Sequence, residues 1–159
     1  ASAAGLRTLV TSSSDAKLER ARELGADVTI NYRKHPEWQE QVLEHTGGKG
    51  VDIVLEVGGA ETLSRSLAAT RWGGFIAIIG GVTGRGGQGV VPDDLIASTK
   101  RLAGILTGHR GMLEELVPFI EVAKLQPVID RVFPFDQAQA AYAYLERAQN
   151  FGHVVLEID

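Results

Sequence analysis

Glycines are the residues best spaced for chemistry in this 159-residue chain. Gly84-Arg85-Gly86-Gly87-Gln88-Gly89 has the G-x-G-x-x-G spacing of loops that cradle a pyrophosphate. Such a loop leaves a strand directly and runs into a helix, so that the helix N-terminus meets the phosphates. Here the preceding strand ends near Ile79 and Val90-Val91-Pro92 follows, so the run reads as a surface loop. No Gly-Lys-Ser/Thr completes a P-loop. His35, His45, His109 and His153 lie far apart, with no i, i+4 pair, and read as surface or packing residues rather than metal ligands. Cysteine is absent, which excludes a disulfide framework, a Cys-type zinc site and a thiolate nucleophile. No Gly-x-Ser-x-Gly elbow marks a serine hydrolase. The carboxylates fall almost entirely on expected helix faces, where solvated charge is the ordinary role.

Chemistry elsewhere depends on the elements that carry it. Short β-branched runs alternate with amphipathic stretches along the whole chain. Residues 7–12 read as a strand, after which Ser14 caps a helix with Asp15 in its first turn. Leu18, Ala21 and Leu24 share a face of that helix, and Gly25 ends it. Residues 27–31 form the next strand. Pro36 then opens a helix with Trp38, Val42 and His45 on one side, stopped by Gly47-Gly48. A strand over 51–57, a helix marked by Leu63 and Leu67, and a strand over 75–79 follow. Beyond the glycine-rich loop come a short helix over Pro92–Ser98, a strand over 102–106 and a helix over 112–124, which Pro118 is expected to kink or divide. Residues 128–133, 137–147 and 153–158 read as strand, helix and strand. This alternation predicts a parallel sheet with helices on both faces, of the doubly wound nucleotide-binding kind.

Ligands of such a sheet bind beyond the carboxyl ends of its strands. Those exits read Ser12-Ser13-Ser14, Asn31-Tyr32, Val57-Gly58-Gly59, Ile79-Gly80-Gly81 and Leu106-Thr107-Gly108. Glycine there lets a flat ligand approach the backbone, or simply permits a tight turn. Two Gly-Gly exits from successive strands beside a serine cluster favour a nucleotide site.

Composition narrows the partners. Apolar residues make up 44% and charged residues 23%, the balance of a globular domain with a core, and the formal net charge is −4. No basic field exists to hold nucleic acid or an anionic membrane. No apolar run approaches the ~20 residues that span a bilayer. The opening ASAAGLRTLV is not a secretory signal, so a cytoplasmic location is expected.

SSSDAKLERARELGADVTINYRK, GGKGVDIVLEVGG and the run to FGHVVLEI together resemble the coenzyme domain of the medium-chain dehydrogenase/reductase superfamily. The branch most similar is that of quinone-reductase-like and zinc-type alcohol dehydrogenase-like proteins. The resemblance implies a Rossmann sheet lacking its first strand and glycine fingerprint, which would precede Ala1. It implies a Rossmann domain over 1–126 and a C-terminal strand-helix-strand return over 127–159 that packs on an N-terminal catalytic domain not in this chain. Ser12, Ser13 and Lys17 would meet an adenosine 2′-phosphate with Tyr32 beside them. Val57, Gly58 and Gly59 would line the adenosine ribose and the path toward nicotinamide. Ile79, Gly80, Gly81, Leu106 and Thr107 would contact the nicotinamide portion, and Asn150 would touch the coenzyme from the tail. The tail usually reads Gly-Lys where this chain has Gly152-His153.

The implied activity is NADPH-linked hydride transfer to or from a carbonyl, quinone or activated alkene. NADP(H) is preferred over NAD(H), zinc is not bound by this segment, and no catalytic residue can be named. NAD-specific Rossmann folds carry an acid at the end of the second strand. That position falls at the neutral Ser12, with Asp15 as the alternative ribose acid. Two other functions remain open from the residues alone: a non-catalytic nucleotide-binding or dimerisation module, and a Rossmann-like methyltransferase. The resemblance also implies a homodimer along the edge strand from Leu102 to Leu106. It further implies that strands 7–12 and 51–57 do not pair with each other, because the first family strand lies between them.

Overall fold

The computed structural model describes residues 1–84 and 90–158. The alternation of strands and helices is as the sequence predicts, and every strand pair is parallel. Two compact units divide the chain, Ala1–Thr107 and Gly108–Asp159.

In the first unit β1 (Leu9–Ser12) pairs with β2 (Val28–Asn31). A second sheet has the order β3 (Val51–Glu56), β4 (Thr70–Ile78), β5 (Arg101–Gly104). β1 and β3 are not paired with each other, as the resemblance implies. The helices are α1 (Asp15–Glu23), α2 (Trp38–His45), α3 (Leu63–Ala69) and α4 (Pro92–Ser98). β-branched runs make the strands, and a side-chain cap sets the start of α1, where the Ser14 hydroxyl accepts the Lys17 amide at 3.4 Å. One apolar cluster joins the two sheets. Val28 and Ile30 of β2, Val42 of α2 and Ala69 of α3 are buried together, with Leu9, Trp38 and Val51 packed against them. On β4 the Ile76 side chain is wholly buried, and burial of such a side chain contributes about 1.5–3 kcal/mol.

Several boundaries differ from the sequence reading. β4 starts at Thr70 rather than 75, because Val51 pairs with Thr70 and Ile53 with Phe75. The intervening Arg71-Trp72-Gly73-Gly74 bulges out of register, which hides the strand from any alternation count. β5 ends at Gly104, so Leu106 lies beyond the strand and is 91% exposed. α2 begins at Trp38, two residues after Pro36, which sits in the preceding turn. Leu24, expected on the inner face of α1, is its C-cap and is exposed.

The second unit holds α5 (Arg110–Val122), β6 (Ile129–Pro134), α6 (Ala138–Glu146) and β7 (His153–Glu157), with β6 and β7 paired. α5 starts two residues earlier than expected because His109 caps it, its Nδ1 accepting the Met112 amide at 3.3 Å. Pro118 sits inside α5 without dividing it, at the loss of one backbone hydrogen bond. Asp130 fastens this unit, accepting the Tyr144 hydroxyl at 2.7 Å and the Phe151 amide at 2.9 Å. Arg131 lies over the rings of Phe133 and Tyr144, at 4.7 and 5.5 Å from their centroids. Among the described residues no helix is long and apolar enough to cross a membrane.

Candidate functional site

The carboxyl ends of β1 and β2 stand side by side, because Ser12 pairs with Asn31 in register. The Ser12 hydroxyl accepts the Ser14 amide at 3.3 Å, which leaves its own proton to donate. Ser13 is half-buried between the strand and its helix, and Lys17 lies in the first turn of α1. Tyr32 is 43% exposed at the neighbouring exit, its amide tied to the Ser12 carbonyl at 3.1 Å.

Asp15 is occupied at both oxygens. Lys34 Nζ lies 2.7 Å from Oδ2, and the buried Asn31 side chain donates to Oδ1 at 2.7 Å. These two contacts, the lysine first, hold the Asp15 carboxyl below its usual range. Asn31 in turn accepts the Arg33 amide at 3.0 Å. The exit of β2 is thereby laced to the start of α1. What this end offers is neutral hydroxyls beside Lys17 and Lys34, a chemistry suited to an anionic group.

The exits of β3 and β4 are locked to each other. The amides of Ile79 and Gly80 donate to the Glu56 carbonyl at 2.8 and 3.2 Å. Thr83 donates its amide and its hydroxyl to the Gly58 carbonyl, at 2.7 and 3.0 Å, and its hydroxyl accepts the Glu61 amide at 3.2 Å. The Ala60 amide donates to Gly84 at 3.1 Å. Gly59 is left-handed, and a Cβ there would stand 2.7 Å from Gly81 Cα and from the Gly84 carbonyl oxygen. A Cβ on Gly80 would stand 2.6 Å from the Val57 carbonyl oxygen. Both glycines are thus required by the chain's own close approach, the second of the two roles the sequence left open. Val57 and Ile79 leave these exits with exposed apolar side chains.

Beneath the turn sits a residue that sequence reasoning passed over. Glu56, the last residue of β3, is only 3% exposed. Its carboxylate accepts the Gly59 amide at 2.9 Å, the Thr62 hydroxyl at 2.6 Å and the Ser66 hydroxyl. Burial pushes the acid up, but the donors at Ser66, Thr62, Gly59 and Gly58 outweigh it and hold the group below its usual range. The signal was present as an acid closing an apolar strand, with hydroxyls six and ten residues on, one helical turn apart.

Leu106 and Thr107 are exposed beyond β5, where the Ile105 amide continues the ladder to Ile78 at 2.8 Å. Asn150 belongs to the second unit, its side-chain amide donating to the Gly152 carbonyl at 2.8 Å. The G-x-G-x-x-G run lies, after Gly84, outside the described residues. Among the described residues no three of His, Cys, Asp and Glu gather as metal ligands.

Residues 1–122 match the family described as zinc-binding dehydrogenase. The chain is 42% identical to a zinc-type alcohol dehydrogenase-like protein of Schizosaccharomyces pombe, over 99% of this chain and 46% of that one. It superposes on an NAD-dependent alcohol dehydrogenase with a TM-score of 0.84 at 36% identity, covering 96% of this chain and 44% of the other. A mycobacterial protein solved in complex with NADPH gives 0.83 at 28% identity, covering 99% and 51%. The chain spans about half the length of the curated relatives it matches.

Proposed function

The chain belongs to the zinc-binding dehydrogenase family of medium-chain dehydrogenases/reductases, and we propose that it is the coenzyme-binding part of an NADP(H)-preferring oxidoreductase. The whole protein then moves hydride to or from a small carbonyl, quinone or activated alkene. The coenzyme supplies the hydride chemistry, and this chain's residues bind and orient it. Ser12 and Ser13 donate to a 2′-phosphate with Lys17 as the point charge and Tyr32 alongside. Val57, Gly58 and Gly59 line the adenosine ribose and the path toward nicotinamide. Ile79, Gly80, Gly81, Leu106 and Thr107 meet the nicotinamide portion, and Asn150 of the tail touches the coenzyme. Relatives with the words 2-haloacrylate reductase and alkenal/one oxidoreductase in their names support the substrate class. The reading includes a Rossmann domain over 1–126, a return segment over 127–159 that meets a catalytic domain, and pairing of two copies along the outer edge of β5.

One observation carries the NADP(H) preference. The acid at the β1 exit, Asp15, is held by Lys34 and Asn31. A ribose diol thus meets a carboxylate already turned toward the β2 exit and partly neutralised, whereas a phosphate meets hydroxyls and lysines. The test is titration of both coenzymes against the intact protein and its Lys17→Ala variant. NADPH binding should weaken about ten-fold or more, since a charged hydrogen bond contributes roughly 1.5–3 kcal/mol, while NADH binding stays nearly unchanged. Equal loss for both, or tighter NADH binding by the parent, refutes the preference.

A further inference from the structure

We propose that Glu56 and Thr83 are positioning residues that fix the β3 and β4 exits as one rigid platform for the central and nicotinamide portions of the coenzyme. The proposal rests on the coenzyme reading above and adds to it the residues that hold its floor.

Glu56 reaches three elements at once. Its carbonyl takes the amides of Ile79 and Gly80, where β4 ends. Its carboxylate takes Gly59 in the turn, Thr62 at the N-cap of α3 and Ser66 one turn into that helix. Gly58 has no side chain to obstruct this, for a Cβ there would stand 2.2 Å from the Thr62 hydroxyl oxygen. A buried carboxylate with this donor set stays ionised, so the turn is held by charge-assisted bonds, the stronger class. Thr83 fastens the same turn from the solvent side, through two bonds to Gly58 and one from Glu61. Neither side chain needs to touch the ligand. Their work is to keep the Val57–Gly59 and Ile79–Gly81 backbones from moving when a ligand lies across them, so that ordering is not charged against binding.

The two ends of the site are held by separate networks. The adenosine end is laced by Asp15, Asn31 and Lys34, and none of these is bonded to Glu56 or Thr83 in the contacts described. Loosening the platform should therefore weaken a ligand that lies across both ends and spare one that occupies only the first. The experiment measures dissociation constants of NADPH and of adenosine 2′,5′-bisphosphate for the intact protein, Glu56→Gln and Thr83→Val. Glutamine keeps the size and gives up the charge. Thr83 is exposed, so its valine variant decides the matter should Glu56→Gln fail to fold. NADPH binding should weaken about ten-fold in Glu56→Gln and about three- to five-fold in Thr83→Val. Adenosine 2′,5′-bisphosphate meets the platform only at its ribose and keeps the Asp15, Asn31 and Lys34 network, so it should weaken by no more than about two-fold in both. Parental affinity for both ligands in the variants, or equal loss of both, overturns the platform. A parent protein that binds neither ligand overturns the coenzyme reading on which it stands.

Discussion

Replacing Gly59 with alanine tests whether the glycines of these exits serve the chain itself. Gly59 has φ of +103°, and its added Cβ would stand 2.7 Å from Gly81 Cα and from the Gly84 carbonyl oxygen. Both are backbone atoms, so neither can swing aside as the end of a side chain does. Gly48 is the comparison, with φ of +79° and nothing within 4 Å of a Cβ. Gly48→Ala therefore carries only the left-handed conformational cost of about 1–2 kcal/mol. Gly59→Ala carries that cost and an overlap of about 1–3 kcal/mol, or about 2–5 kcal/mol together. The place to read it is the loop, through native-state hydrogen exchange of the Ala60 and Thr83 amides, which donate across the two exits. In the intact protein these amides should exchange about 30-fold faster or more in Gly59→Ala, as every 1.4 kcal/mol is ten-fold in the opening equilibrium. Gly48→Ala should leave them within about two-fold. Parental exchange at both amides in Gly59→Ala would refute the claim that self-packing demands this glycine.

Asp15→Ala should leave NADH binding within about two-fold of the parent, whereas a ten-fold loss would identify Asp15 as a ribose acid after all. The depressed acid of Glu56 stabilises the fold fully above the usual glutamate value near 4.3 and loses that contribution as pH falls through its lower folded value. Ser66→Ala removes one donor, so acid unfolding followed by circular dichroism should begin at higher pH, and an unmoved midpoint would count against the carboxylate network. Light scattering of the intact protein should give a dimer, and lysine at Leu102, half-buried on the edge strand β5, should shift it toward monomer. A parent that is monomeric at micromolar concentration would remove the edge-pairing proposal.

Most of this architecture is legible in the sequence because local signals agree with the fold. Ser14 before Asp15, Gly47-Gly48 after α2 and the β-branched runs of β1, β2 and β3 each state their own element. The start of β4 is not legible, since Arg71-Trp72-Gly73-Gly74 alternates nothing and earns its place only through pairing with β3. His109 hides the start of α5 for a related reason: imidazole is an unusual cap and reveals itself only when its Nδ1 meets the Met112 amide. At the site, the exits could be located but their glycines could not be explained. A ligand approaching the backbone and a loop approaching its neighbour ask for the same residue, and only coordinates separate the two.

Asp15 shows why coenzyme choice is not decided by residue type alone. Its carboxylate has about four acceptor positions, and Asn31 and Lys34 take one on each oxygen. Those contacts turn the carboxyl toward the β2 exit and offset part of its charge. Swinging it toward a diol would strand the amide of the buried Asn31, at about 1–3 kcal/mol. That cost offsets about one of the charged hydrogen bonds, worth about 1.5–3 kcal/mol each, that a diol would make. A 2′-phosphate faces no such exchange, since Ser12 keeps a proton to give and Asp15 stays where it is. The acid that a motif reader would count toward NAD thus belongs to the β2 exit, and the proposed preference for NADP(H) follows from that pairing rather than from the serines alone.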